Sequence, residues 1–281
     1  MIQYGDRLTI VFKNVHKHNN PDEGWKDNLE DFQVTEYQKA DHIEYHFFQK
    51  LILKLYLKYL RTKPKAIRYR YETRLAKFFS RFGIYRLEHG FVQFPKSLPL
   101  FRDKILQGYF ESPKYFEAID RVVCKEFAPK HELLKENSEL LANIQSCESV
   151  CVSIRRGDFL NELNRSKCFI CTNNYYLRGI DVIRKHYPEL KVFVFSDDID
   201  WVKQNMGFDS NTVYESGLDP VWEKLRLMSA CKHFVISNST FSWWVQHLAS
   251  NPEKIVVAPN IWRNSKLPVD IFEENWTLID P

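Results

Sequence analysis

Hydrophobic and polar positions change rhythm about half-way along this 281-residue chain. Residues 5–15 read as a strand and 17–33 as a polar loop with Asn-Asn-Pro-Asp and Glu-Gly turn signals; over 40–60 the apolar positions recur at the spacing of an amphipathic helix. Pro64 ends that helix, and a second one, basic and aromatic, is expected over 67–82, before Gly83. Ile105 to Phe110 reads as a short strand in which Gly108 allows close backbone approach, and Ser112-Pro113 opens helix-period segments over 113–127 and 131–144. From 148 onward the two periods alternate. Strands are expected at 149–154, 191–195, 212–214, 233–236 and 254–257, and helices at 173–186, 199–206, 219–230 and 241–249. Such alternation predicts an α/β fold with a doubly wound parallel sheet. It divides the chain near residue 146 into an N-terminal lobe, 1–146, with a basic helical insertion at 40–86, and a Rossmann-like lobe, 147–281.

Composition narrows the class. With 44% hydrophobic and 15% aromatic residues the chain is globular rather than disordered, and its length suits two modest lobes. No run approaches the roughly 18 apolar residues of a membrane span, and the start lacks a basic-then-apolar leader, so a cytosolic protein is expected. The six cysteines are scattered, which fits reduced thiols; Cys168 and Cys171 form a lone CxxC with no second pair at zinc spacing. Charge is uneven. The stretch from Lys50 to Arg86 has twelve Lys and Arg against one acid, Glu72, so it carries +11 while the rest carries −7 of the net +4. A basic face beside an acidic body points to an anionic partner, although a solvated helix face would give the same count.

The candidate chemistry sits where predicted strands run out. After the strand at 149–154 come Arg155, Arg156, Gly157 and Asp158, at the end of a parallel strand where such sheets place their ligands. Guanidinium forks bind diphosphate oxygens bidentately, Gly157 lets the chain turn close by, and Asp158 can orient an arginine. After the strand at 233–236, Ser237, Asn238, Ser239 and Thr240 lead into a helix, a layout that holds anions but also serves as an ordinary helix cap. Trp243 and Trp244 read as helix packing. A third strand end carries Asp197, Asp198 and Asp200, acids suited to a ribose, a guanine or Mg²⁺, or to a helix's first turn.

These segments together carry a resemblance. Val152 to Asp158, Phe195 to Trp201 and Leu227 to Trp244, with Gly108 to Phe116 and Lys254 to Pro259, resemble in order and spacing the motifs of the bacterial α-1,2-fucosyltransferases of O-antigen and surface-glycan type, over roughly 90 to 265. The resemblance implies two Rossmann-like lobes of GT-B type and a metal-independent, inverting glycosyltransferase with no cofactor. Such an enzyme moves L-fucose from GDP-β-L-fucose to the 2-hydroxyl of a galactose-terminated oligosaccharide or lipid-linked glycan. Carried over by motif, Arg155 and Arg156 hold the GDP diphosphate, with Arg156 and Asp158 closest to catalysis. Ser153, Asp197, Asp198, Asn238, Ser239, Thr240 and Ser242 complete the donor cradle.

The chain also departs from that pattern. The family's motif histidine is replaced by Ser153, its glycine after Trp-Trp by Val245, and an acid by Lys224, next to Glu223. Met1 to Gly5 resembles only the tail of the family's opening glycine loop, so either the true start lies upstream of Met1 or the N-terminal lobe lacks its first βα unit. His16 and His18 are the sequence candidates for a general base. An active transferase on the inner face of the cytoplasmic membrane, its basic stretch against anionic lipid, is one reading. A catalytically impaired GDP-sugar-binding paralogue is the other. No nucleic-acid module is apparent.

Overall fold

The computed structural model describes residues 8–11, 27–35, 37–40, 46–101, 103–165 and 167–281. The start motif, His16, His18 and most of the polar loop lie outside the described residues. Two compact units emerge. The first draws on Met1–Asp27, Thr35–Asp120 and Lys266–Phe272, the second on Asn28–Val34, Arg121–Ser265 and Glu273–Pro281. After contributing Asn28–Val34, the chain thus enters the second unit for its main run at Arg121, well before 146. Glu223, fully buried in the second unit, supplies the reason: its carboxylate accepts the Leu134 amide at 3.0 Å and the Asn137 side-chain amide at 3.2 Å.

In the first unit β1 (Leu8–Val11) pairs in parallel with β2 (Tyr37–Ala40). Helices α1 (Phe47–Arg61) and α2 (Lys65–Ser80) follow, then a second parallel pair, β3 (Ile84–Leu87) with β4 (Ile105–Gly108). Pro64 is the N-cap of α2 and separates the two helices as expected. α1 buries one row, Gln49, Leu53, Tyr56 and Leu60, and Tyr56 stacks on Phe79 at 3.8 Å between ring centroids. Gln49 survives burial because its amide donates to the carbonyls of Phe82 and Asp103, 2.9 Å each. Arg86, in β3, is likewise buried because it pairs with Glu72 of α2. Gly108 has a φ of +141°, and a Cβ there would fall 1.9 Å from the Leu87 carbonyl oxygen, so only glycine fits.

The second unit opens with α3 (Asp120–Glu126, its first residue contributed by the other unit) and α4 (Ser138–Gln145). The helices expected over 113–127 and 131–144 are shorter than their apolar spacing predicted. Pro113–Tyr115 and Glu117–Ile119 are 3₁₀ turns, and Glu223 draws Leu134 and Asn137 out of a continuous helix. Beyond them lie β5 (Ser149–Ile154), the short α5 (Glu162–Arg165), α6 (Asn173–Arg184), β6 (Lys191–Ser196), α7 (Ile199–Asn205) and β7 (Val213–Tyr214). The unit ends with α8 (Val221–Ser229), β8 (His233–Ile236), α9 (Thr240–His247), β9 (Val256–Pro259) and β10 (Thr277–Ile279).

These six strands form one all-parallel sheet in the order β10-β9-β8-β5-β6-β7. β5 is buried at every position and shares its core with Val192, Val194 and Val235 of its neighbours and with Val257 of β9. α6 closes one side of that core with Tyr175, Tyr176, Gly179, Ile180 and Ile183, and the Tyr175 hydroxyl donates to the Ile236 carbonyl at 2.6 Å. Among the described residues no helix is long and apolar enough to cross a membrane.

At the amino end of β8 the buried His233 accepts the Ile255 amide on Nδ1 at 3.1 Å, leaving the proton on Nε2, 3.4 Å from Glu148. Burial holds its pKa below the ordinary 6.5, against the pull of Glu148. The unfolded chain therefore takes up this proton first as pH falls, so this site is expected to cost stability below about pH 6.5. Glu148, held low chiefly by its hydrogen bond from Lys232, adds a separate loss below the usual carboxylate range. Melting temperature followed against pH should show the upper step in the wild type and lose it in His233→Gln. Packing gives a second expectation. A Cβ on Gly179 would lie 2.6 Å from Val235 Cγ1 and 3.2 Å from Cγ2. Gly179→Ala should therefore destabilise by about 1–3 kcal/mol in chemical denaturation.

Candidate active site

Two directions of winding meet at β5. The chain runs from β5 outward through β6 to β7, then returns to the other side of β5 for β8, β9 and β10. The point of reversal lies between β5 and β8, and in open parallel sheets the carboxyl ends at that point border the ligand crevice. The register brings the two segments side by side: Ser153 pairs with Ile236, and the Ser237 amide donates to the Ser153 carbonyl at 3.1 Å. The arginines that leave β5 and the serines that leave β8 are therefore neighbours, with β6 delivering Asp197 and Asp198 on the far side of β5.

The arginines have unequal partners. Arg155 gives Nε and Nη2 to Asp158 Oδ1, at 3.0 and 2.8 Å, and Nη1 to Asp197 Oδ2 at 3.0 Å. Its fork is committed. Arg156 gives only Nε, to Asp198 Oδ2 at 3.2 Å, and its guanidinium lies 3.1 Å from the centroid of Trp201. Both its terminal amines lack a protein partner among the described residues, so they can receive an oxyanion bidentately. The backbone is tied as well: Asp197 Oδ1 accepts the Arg156 amide at 2.8 Å, and a Cβ on Gly157 would fall 2.6 Å from Asp197 Oδ2. Asp197 and Asp198 thus serve as counter-ions that aim the arginines, and Asp198 is also the N-cap of α7, the helix-start placement that stood beside ribose, guanine or Mg²⁺ contacts as an expectation.

The second segment divides into anchored and open residues. Ser153, Ser237 and Ser242 are buried and linked, with Ser242 Oγ 2.7 Å from Ser153 Oγ and 3.0 Å from Ser237 Oγ. Asn238 is also buried, and its amide donates to the carbonyls of Phe169 and Trp262, 3.2 Å each. These four clamp the strand ends and flanking loops, so a ligand would meet them only indirectly. Ser239 and Thr240 are different. Ser239 is the N-cap of α9 but makes no side-chain capping bond, Thr240 is exposed, and the amides of Thr240, Phe241 and Ser242 have no partner among the described residues. A bare helix N-terminus with two uncommitted hydroxyls beside it is an anion site.

Three participants escaped the sequence reading. Trp201 backs Arg156, and only its position in the first turn after Asp198 could have signalled it. Glu215 is almost wholly buried; it accepts the Ser196 amide at 2.6 Å and pairs with Lys224 at 3.0 Å. Burial pushes its carboxyl up while Lys224 and the amide pull it down. Lys224, noted in the sequence only as a departure, is therefore the counter-ion that anchors the end of β6. Elsewhere the polar groups are structural. Trp243 stacks on His247 and Trp244 on Phe127, which makes both tryptophans packing residues. Burial raises the Cys171 thiol to about 12, keeping it protonated and inert. A concavity of about 480 Å³ lies at the opposite, amino-terminal edge of the sheet, where Glu148 pairs with both Lys232 and His233.

A parallel sheet with arginines and a bare helix N-terminus at its switch point defines an α/β unit of the kind that holds phosphate-bearing ligands. Residues 51–280 match glycosyl transferase family 11, and the chain belongs to that family. It is similar to the α-1,2-colitosyltransferase of Escherichia coli, 31% identical over 183 residues covering 62% of this chain and 61% of that protein. The O-antigen biosynthesis glycosyltransferase WbnK of Escherichia coli is 29% identical over 59% of this chain and 58% of its own length. The galactoside 2-alpha-L-fucosyltransferase of Caenorhabditis elegans is 30% identical over 58% of this chain and 48% of its own length. The matched part thus spans about half to three fifths of these relatives. Among solved structures, NodZ alpha-1,6-fucosyltransferase soaked with GDP-fucose aligns over 94% of this chain and 88% of that one, with 13% identity and a TM-score of 0.46.

The anchor beneath the site can be tested by itself. Lys224→Met leaves Glu215 buried without its counter-ion and should cost about 3–5 kcal/mol in thermal or urea unfolding. Adding Glu215→Gln to that variant should recover a large part of the loss, since it removes the stranded charge.

Proposed function

We propose that this protein is an inverting glycosyltransferase that moves L-fucose from GDP-β-L-fucose to the 2-hydroxyl of a galactoside in a surface glycan. The observation that carries the reading is the pairing of Arg156, with both terminal amines uncommitted, and the bare N-terminus of α9 on adjacent strand ends. The family and the names of the relatives supply the sugar chemistry. On this reading Arg156 and the amides of Thr240, Phe241 and Ser242 bind the diphosphate, with the hydroxyls of Ser239 and Thr240 beside them. Arg155, Asp158, Asp197 and Asp198 hold Arg156 and the turn at Gly157 in place.

The acceptor oxygen forms a bond to the anomeric carbon as the bond from that carbon to the β-phosphate oxygen breaks, and the acceptor proton passes to a base on the acceptor side. The electron pair of the broken bond stays with GDP. Negative charge therefore grows on the diphosphate as the sugar becomes oxocarbenium-like. Fixed guanidinium charge and oriented amides stabilise that charge without reorganising, which is the task a divalent metal performs in other transferases.

Arg156→Ala should reduce transfer of fucose from GDP-fucose to a galactoside about 100- to 1,000-fold. GDP affinity by calorimetry should fall roughly tenfold or more, as for one lost charge-assisted contact, with the circular-dichroism spectrum unchanged. Near-normal turnover of Arg156→Ala at saturating donor would overturn the assignment of that residue. GDP binding by the wild type with neither transfer nor hydrolysis of GDP-fucose would instead identify a GDP-sugar-binding protein.

A further inference from the structure

The basic stretch that the sequence singled out is not used by the donor site. It folds into α1 and α2, and α1 has two apolar faces. One is the buried row Gln49, Leu53, Tyr56 and Leu60. The other is exposed: Phe47, Leu51, Leu55 and Tyr59, four residues apart in succession, are 72%, 45%, 58% and 41% accessible, with Phe48 beside them at 58%. At about 100° per residue this second row lies roughly 150° round the helix from the first. Lys50, Lys54 and Lys58 form the adjoining row, all exposed. α2 adds a basic face of its own, Arg70, Arg74 and Lys77, which Arg81 continues past its end, with Phe78 half exposed among them.

No acid offsets these charges on either helix. Glu72 is the single carboxylate in the two, and it is buried against Arg86 and the Glu88 amide. Among the described residues none of the cations just named has a carboxylate partner.

We infer that this exposed face of α1, with its lysine row, docks on an anionic lipid bilayer, α1 lying along the surface with its apolar row in the headgroup boundary. A convex helix face with large apolar side chains flanked by lysines has the form of an interfacial helix. A second copy of the chain fits poorly, because a symmetric contact would set these cations against their own images. Nucleic acid would use the cations but leaves a row of phenylalanine and leucine unexplained. This inference is independent of the donor chemistry, since docking requires no transfer.

Sedimentation of the intact chain with vesicles tests it. The protein should partition onto phosphatidylcholine vesicles containing a minority of phosphatidylglycerol, hardly at all onto phosphatidylcholine alone, and should be released by salt. Neutralising Lys50, Lys54 and Lys58 to Gln should lower the partition coefficient by roughly fivefold per cation. Replacing Phe47, Leu51 and Leu55 by Ser should weaken binding with the salt dependence retained; melting temperatures within a few degrees of wild type would show these surface variants folded. Failure to bind anionic vesicles, or unchanged binding by either variant, would overturn the inference. So would self-association in light scattering that the serine variant abolishes, or RNA binding that needs the lysines and not the apolar row.

Discussion

The double-sided pairing of β5 sets the terms for the second unit. A six-residue strand buried on both faces and bonded at both edges has no freedom of register, because a slip of one residue would turn its valines out of one layer of the core and into the other. Its charged groups must therefore emerge at its ends. Arg155 and Arg156 are the first residues past the carboxyl end, and their place beside Ser237 and Asp197 follows from the ladder. The site is the edge of a packed core, so its precision is inherited from hydrophobic packing.

Within that frame, two neighbouring arginines take different duties. Arg155 is surrounded by carboxylate oxygens and acts as a strut between Asp158 and Asp197. Arg156 is held at one nitrogen and supported from behind by an aromatic ring, which leaves the two nitrogens best placed for a fork-shaped contact. The three carboxylates around two guanidiniums also keep the cluster from accumulating positive charge when no anion is present.

The sequence made much of this readable, and the boundary of readability is physical. β5, β6, β8 and β9 announce themselves because a strand buried on both faces reads as a largely apolar run. β3 does not, since Arg86 interrupts it and is tolerated only through Glu72, on another element. β10 is short and half exposed, with no run to read. The same distinction holds in the site. That Arg155, Arg156, Ser239 and Thr240 lie at strand ends could be read locally. That Asp197 would turn back to the Arg156 amide, that Ser153 would meet Ser242, or that Lys224 would neutralise Glu215 depends on partners 9 to 89 residues away. Those pairings exist only once the sheet has formed.

The three linked serines carry one last consequence. Each hydroxyl has a single proton to give, so Ser153, Ser242 and Ser237 together hold three protons while the two contacts between them use two. One proton is always surplus and must be directed out of the cluster. Which hydroxyl directs it outward is set by the sense in which the two bonds run. β5, β8 and α9 are thus joined by a chain of hydroxyls as well as by packing, in the floor between the arginines and the N-terminus of α9.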